Sequence, residues 1–254
     1  MKRLQRPDGI TLAFQVHNPQ APGVPLLLTH GFGATAGMWD RNIEALSADR
    51  PVIVWDMRGH GSSDAPDDMD RYSEQISVAD MAAILDAAGA ERAVLGGMSL
   101  GGYLSLAFHL ARPQRVAALV LVDTGPGYKN DEARDKWNAW VERRAQELER
   151  GEGRASTSAE VAQAVHEHPE GLPRAARAVM AQKDARVITS LDSIAVPTLV
   201  VVGAQDTDFL AGAEYMHRKI PNSRKVVLDN AGHAANMDQP EAFNAAVREL
   251  LEQL

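Results

Sequence analysis

Gly96-Gly97-Met98-Ser99-Leu100-Gly101-Gly102 is the stretch on which the reading of this chain turns. A short apolar run, 93–96, leads into it, and an Ala- and Leu-rich stretch with helical spacing, 100–111, leads away from it. Gly-x-Ser-x-Gly between a strand and a helix describes a sharp turn that leaves a serine hydroxyl exposed at the end of a sheet. Gly97 and Gly101 permit the tight turn and a close approach of the helix. The helix N-terminus adds backbone N–H groups and the positive end of a dipole beside the serine, which favours an oxyanion there. Ser99 is therefore the candidate nucleophile, and Leu100 N–H the first candidate oxyanion donor.

Apolar runs bounded by turn residues recur at 26–29, 52–55, 93–96 and 117–122, alternating with longer stretches of helical spacing, as in parallel βαβ units. Helices are expected at 38–47, 77–88 and 100–111, the second opened by Ser77 as N-cap with Asp80 three residues on. Strand-like runs resume at 198–202 and 225–228, with helices expected at 211–219 and 241–251. Between them, 125–184 offers only helical stretches around 133–150, 158–167 and 172–181. The expected fold class is α/β, a mostly parallel central sheet flanked by helices. Residues 1–124 and 185–254 would form its core, and 125–184 an inserted helical cap.

With 254 residues, 45% of them hydrophobic and 24% charged, the composition is that of a globular protein with a full core. The net charge of -8 and the lack of a long Lys/Arg run exclude nucleic acid as an expected partner. No apolar run approaches the roughly 18 residues of a membrane span. Residues 1–10 lack the apolar stretch of a secretory signal, so a cytoplasmic enzyme is the expectation. Zero cysteines exclude disulfides, thiolate metal sites and a cysteine nucleophile.

A serine hydroxyl needs a base within reach, and the base needs an acid on its far nitrogen. Past Ser99 the histidines are His109, His166, His168, His217 and His233. His109 and His217 fall in expected helices, and His166 and His168 in the expected cap, where solvated or packed histidines are ordinary. His233 alone sits on a loop directly after a strand, in Asn230-Ala231-Gly232-His233. For the acid, Asp206 follows the run 198–202 through Gly203-Ala204-Gln205, at the C-terminal end of a strand where α/β sites gather. Asp208 and Asp123 are the alternatives, the latter ending the run 117–122. A second oxyanion donor is expected from Phe32 N–H in His30-Gly31-Phe32-Gly33, with His30 packed beneath that turn.

Five landmarks in this order resemble the α/β-hydrolase fold superfamily, in its branch of small esterases, lactonases and related cofactor-free hydrolases, over nearly the full length. They are His30-Gly31-Phe32-Gly33, Asp56-Met57-Arg58-Gly59-His60-Gly61-Ser62-Ser63, the Ser99 turn, Gly203-Ala204-Gln205-Asp206, and Gly232-His233 followed by Gln239-Pro240-Glu241. Within the resemblance, Asp56 to Ser63 is a structural turn with Arg58 and His60 as scaffold, and 125–184 is the variable cap. Haloalkane dehalogenases and epoxide hydrolases carry Asp at the turn, so Ser99 argues against both. Large lipases have longer lids and often disulfides. A dehydratase-like or synthase role would need cap residues that this sequence does not match.

The expected reaction is hydrolysis of a small carboxylic ester, with a short-to-medium acyl or an aryl group, through an acyl-enzyme on Ser99, without metal or organic cofactor. Phe32, Met98, Trp137 and Trp140 are expected to line the acyl pocket. Lactone hydrolysis, C–C bond hydrolysis and perhydrolysis use the same triad and stay open. A non-catalytic small-molecule receptor on the same fold, or a scaffold that merely retains it, would not need Ser99, Asp206 and His233 together.

Overall fold

The apolar runs form strands, and the computed structural model describes residues 1–152 and 158–254. Among these, β1 (Lys2–Gln5), β2 (Thr11–His17), β3 (Leu26–Thr29), β4 (Val52–Trp55), β5 (Ala93–Met98), β6 (Val116–Val122), β7 (Thr198–Gly203) and β8 (Ser223–Leu228) make one sheet. Its order is β1-β2-β4-β3-β5-β6-β7-β8. From β4 to β8 every pairing is parallel, while β1 and β2 add an antiparallel edge. The sequence reading missed that edge. β1 is mostly exposed and carries Lys2 and Arg3, so it has no apolar run to announce it, and such charges suit an edge.

Ten α-helices surround the sheet among the described residues: α1 (Asp40–Leu46), α2 (Glu74–Ala87), α3 (Leu100–Ala111), α4 (Asp131–Glu149), α5 (Ala159–Ala162), α6 (Leu172–Ala175), α7 (Arg186–Thr189), α8 (Leu210–Lys219), α9 (Ala235–Asp238) and α10 (Pro240–Leu251). None of them is long and apolar enough to cross a membrane. Strand alternation divides the core in two. Leu27, Ile53, Leu95, Leu119 and Val200 face α2, α3 and α8, whereas Leu28, Val54, Val94, Val120 and Val201 face α1 and α10.

Ser77 does not open α2. Ser73 does, its side chain accepting the Ile76 N–H, and Ser77 lies buried one turn inside. The first turn, Glu74-Gln75-Ile76, is largely polar, so the apolar spacing begins a turn later than the helix. Between β6 and β7, α4 packs Val141 and Ala145 into the core shared with α2 and α3, and α6 continues as one wide π-helical turn, Ala176–Met180. The helix expected at 158–167 stops at Ala162. Beyond it the chain turns to the core: Glu167 N–H donates to Gly61 O, a bond that continued helix would not allow.

Candidate active site

The site begins with backbone strain at Ser99, which holds φ 52° and ψ -116° between β5 and α3. A non-glycine residue at positive φ costs on the order of 1–3 kcal/mol and persists only where its surroundings enforce it. Here they do. Ser99 N–H donates to Val122 O at 2.9 Å, and Ser99 O accepts from Tyr103 N–H at 3.1 Å and from Thr124 Oγ1 at 2.6 Å. The flanking glycines are a packing requirement. A Cβ on Gly97 would lie 2.2 Å from the Gly101 carbonyl carbon, and one on Gly101 would lie 2.1 Å from Thr29 O.

Asp206 and His233 meet because their loops are stitched together. Ala204 N–H donates to Leu228 O and Gln205 N–H to Ala231 O, both at 2.9 Å. A Cβ on Gly203 would sit 2.2 Å from Gly232 O, so only glycine lets the two loops approach this closely. The result is a 2.8 Å bond between His233 Nδ1 and the buried Asp206 Oδ2. Phe209 stacks on the imidazole at 4.9 Å. Burial pulls the His233 pKa down, but the Asp206 hydrogen bond and the charges of Asp206, Asp123 and Glu160 outweigh it and hold it above the ordinary imidazole value. No hydrogen bond joins Ser99 Oγ to His233 among the described residues. Bonds of this kind tighten when a substrate is bound.

Asp123 has other work. It sits at φ 43°, fully buried, with Oδ1 accepting the Gly203 N–H at 2.8 Å and Oδ2 the Ala235 N–H at 2.9 Å. One carboxyl thereby ties the end of β6 to the loops of Asp206 and His233. Burial pushes it up to about 8, against the pull of both N–H bonds. Asp208 is exposed and makes no hydrogen bond or ion pair among the described residues.

Neither Phe32 N–H nor Leu100 N–H has a hydrogen-bond partner among the described residues. A Cβ on Gly31 would lie 3.4 Å from Ser99 Cβ, so the turn that leads to Phe32 runs beside the serine. Beneath it lies a histidine cluster. His30 Nε2 accepts the Met57 N–H at 3.0 Å, His60 packs 5.0 Å from His30, and Phe32 meets His60 edge-on at 5.5 Å. Burial lowers the pKa of His30 to about 4 and holds His60 well below the ordinary value. His166, read from sequence as solvated, is instead wedged between two core loops. Its Nδ1 accepts the Gly61 N–H at 2.9 Å, and its Nε2 lies 3.1 Å from Gly33 O. Arg58 is scaffold, gripping buried Asp80 through Nε at 2.6 Å and Nη2 at 3.0 Å.

A cavity of about 260 Å³ opens from Ser99 and Leu100, walled by Tyr103, Tyr128, Trp137 and Phe209 among others. Of the residues expected to line the pocket, Trp137 does so. Met98 does not: it is fully buried on the α1 and α10 side of the sheet, on the same strand face as Val94. Trp140 does not either; it stacks outside Trp137 at 5.0 Å and is 44% exposed. Phe32 lies against the histidine cluster and off this cavity. Tyr103 and Phe209 were missed, although Tyr103 lies one helical turn after Ser99 and Phe209 three residues after Asp206. Among the described residues no group of His, Asp or Glu is placed to hold a metal ion.

The family model described as alpha/beta hydrolase fold matches residues 24–179, more than half of the chain. The chain belongs to the α/β-hydrolase fold family. Its solved relatives include a thermophilic esterase from Thermogutta terrifontis, with a TM-score of 0.85 and 30% identity over 100% of this chain and 99% of that one. Among curated relatives, a putative 2-succinyl-6-hydroxy-2,4-cyclohexadiene-1-carboxylate synthase of Bacillus subtilis is 28% identical, covering 96% of both chains. The 3-oxoadipate enol-lactonase 1 of Acinetobacter baylyi is 29% identical, covering 93% of this chain and 91% of its own. The α/β-hydrolase frame thus carries esterase, lactonase and synthase names at similar distances from this sequence.

Proposed function

We propose that this α/β-hydrolase cleaves carboxylic esters through an acyl-enzyme on Ser99, with His233 as base and Asp206 orienting it. The observation that carries the reading is the 2.8 Å bond between His233 Nδ1 and Asp206 Oδ2, on loops stitched together beside a strained serine turn. His233 takes the Ser99 proton as Oγ attacks the ester carbonyl, and the free N–H groups of Phe32 and Leu100 receive the developing oxyanion. The protonated imidazole then gives its proton to the leaving alcohol. Water, deprotonated by the same ring, releases the acid and restores Ser99. Residues 125–152 and 158–184 act as a cap over the core of 1–124 and 185–254, contributing Trp137 to the cavity wall.

A lactone is a cyclic ester and meets the same groups in the same order. The enol-lactonase relative over 93% of the chain favours it as a second reading.

The test is turnover of p-nitrophenyl acetate, butyrate and octanoate by the wild type and Ser99→Ala, with a serine-directed phosphonate followed by intact mass. Turnover should fall by about three or more orders of magnitude in the variant, because such groups act as a unit. One phosphonate adduct should form on the wild type alone. Equal turnover by Ser99→Ala would end the proposal.

A further inference from the structure

Resting on the ester-hydrolase reading, we infer that Asp208 sets the charge preference of the Ser99 cavity, admitting uncharged and cationic groups and turning away carboxylates. The wall facing Ser99 is aromatic, built from Tyr103, Tyr128, Trp137 and Phe209. Such faces attract cations through their ring quadrupoles and do nothing for a carboxylate. Asp208 is the charged side chain among the described residues of that wall, and it has no partner there to neutralise it. Its field reaches across the wall: after burial, the Asp208 charge is what raises the Tyr128 hydroxyl above its ordinary value.

Two further oxygens near the wall are already engaged. Tyr103 spends its proton on Glu74 Oε2 at 2.8 Å, so towards the cavity its oxygen can only accept. The Gln182 carbonyl oxygen is taken by the Tyr128 N–H at 3.0 Å. The nearby arginines are engaged by carboxylates: Arg134 by Asp131, and Arg186 by Asp184 at 2.7 Å and by Glu74 at 3.6 Å. A substrate carboxylate in the cavity would therefore meet the unpaired charge of Asp208, with no described cation on the wall to receive it.

Three p-nitrophenyl esters of matched shape test this, their chains ending in tert-butyl, trimethylammonium or carboxylate. A second series places the same three ends on the alcohol. In the wild type, kcat/KM should order as cation, then neutral, then carboxylate in at least one series. Asp208→Asn should compress the neutral-to-carboxylate ratio by about two- to fivefold, the size of an exposed charge pair. Asp208→Lys should move it about twice as far on a logarithmic scale, and added salt should flatten the wild-type ratio. Ratios within one variant cancel any general loss of rate. The corresponding amides, titrated against tryptophan fluorescence, read the same preference without turnover. Failure of the ester-hydrolase reading would appear as no turnover of any ester, with the amide preference intact. Ratios identical in wild type, Asp208→Asn and Asp208→Lys, in turnover and in binding alike, would overturn the assignment to Asp208.

Discussion

Asp123→Asn and Asp206→Asn should separate a carboxylate that holds the site together from one that acts on the base. Asp123 accepts two backbone N–H groups, one from each of the loops that carry Asp206 and His233. An asparagine can accept one of them, and its NH2 must then face the other donor. Leaving a buried N–H unpaired costs about 1–3 kcal/mol, and the donor–donor contact places Asp123→Asn towards the upper part of that range. Gly203 and Ala235 flank the loops that carry Asp206 and His233, so displacement there should also lower kcat by about ten- to a hundredfold. Asp206→Asn exchanges one carboxylate oxygen for an amide that can still bond the imidazole, and should change stability by only about 1 kcal/mol. It should instead lower kcat by about four orders of magnitude, the loss known for this substitution in a serine-protease triad. The pH profile adds a sign. In the proposed mechanism His233 works as a neutral base, and its raised pKa would place the acid limb of kcat/KM above the ordinary imidazole value, so Asp206→Asn should move that limb down. Urea denaturation followed by tryptophan fluorescence, and p-nitrophenyl ester kinetics across pH, measure both quantities. If Asp123→Asn matched the wild type in stability yet lost activity as Asp206→Asn does, Asp123 and not Asp206 would be the acid.

Three further outcomes follow from the same geometry. Gly101→Ala should cost about 3 kcal/mol or more, since its Cβ would meet Thr29 O at 2.1 Å. Gly89→Ala, at φ 74° with nothing within 4 Å, should cost about 1–2 kcal/mol of backbone strain; equal losses in thermal denaturation would discredit the packing argument. Because the folded pKa of His30 lies below its unfolded value, its contribution is complete above about pH 6.5 and is lost as pH falls towards 4. Between pH 7 and 5 that amounts to about 2 kcal/mol, with His60 adding in the same direction, and a flat urea midpoint across this window would contradict it. His166→Ala removes the acceptor of the Gly61 N–H, and amide exchange at Gly61 should quicken by about tenfold.

What was legible in the sequence is what short-range physics writes into it. β3 to β7 are buried along their whole length, so each reads as an unbroken apolar run, and the serine, acid and histidine candidates were found by their positions just past strand ends. The alternation that places Met98 on the same face as Val94 was also present, and applying it would have kept Met98 out of the pocket. The roles of Asp123 and His166 were of another kind. Asp123 finds its donors 80 and 112 residues away, and His166 its partners 105 and 133 residues away. Nothing within a few positions of either residue encodes those meetings. Asp123 and Asp206 both follow buried strands, so spacing alone cannot tell a carboxylate that ties loops together from one bonded to an imidazole. The difference is made by which N–H groups and which imidazole the folded loops bring to each carboxylate.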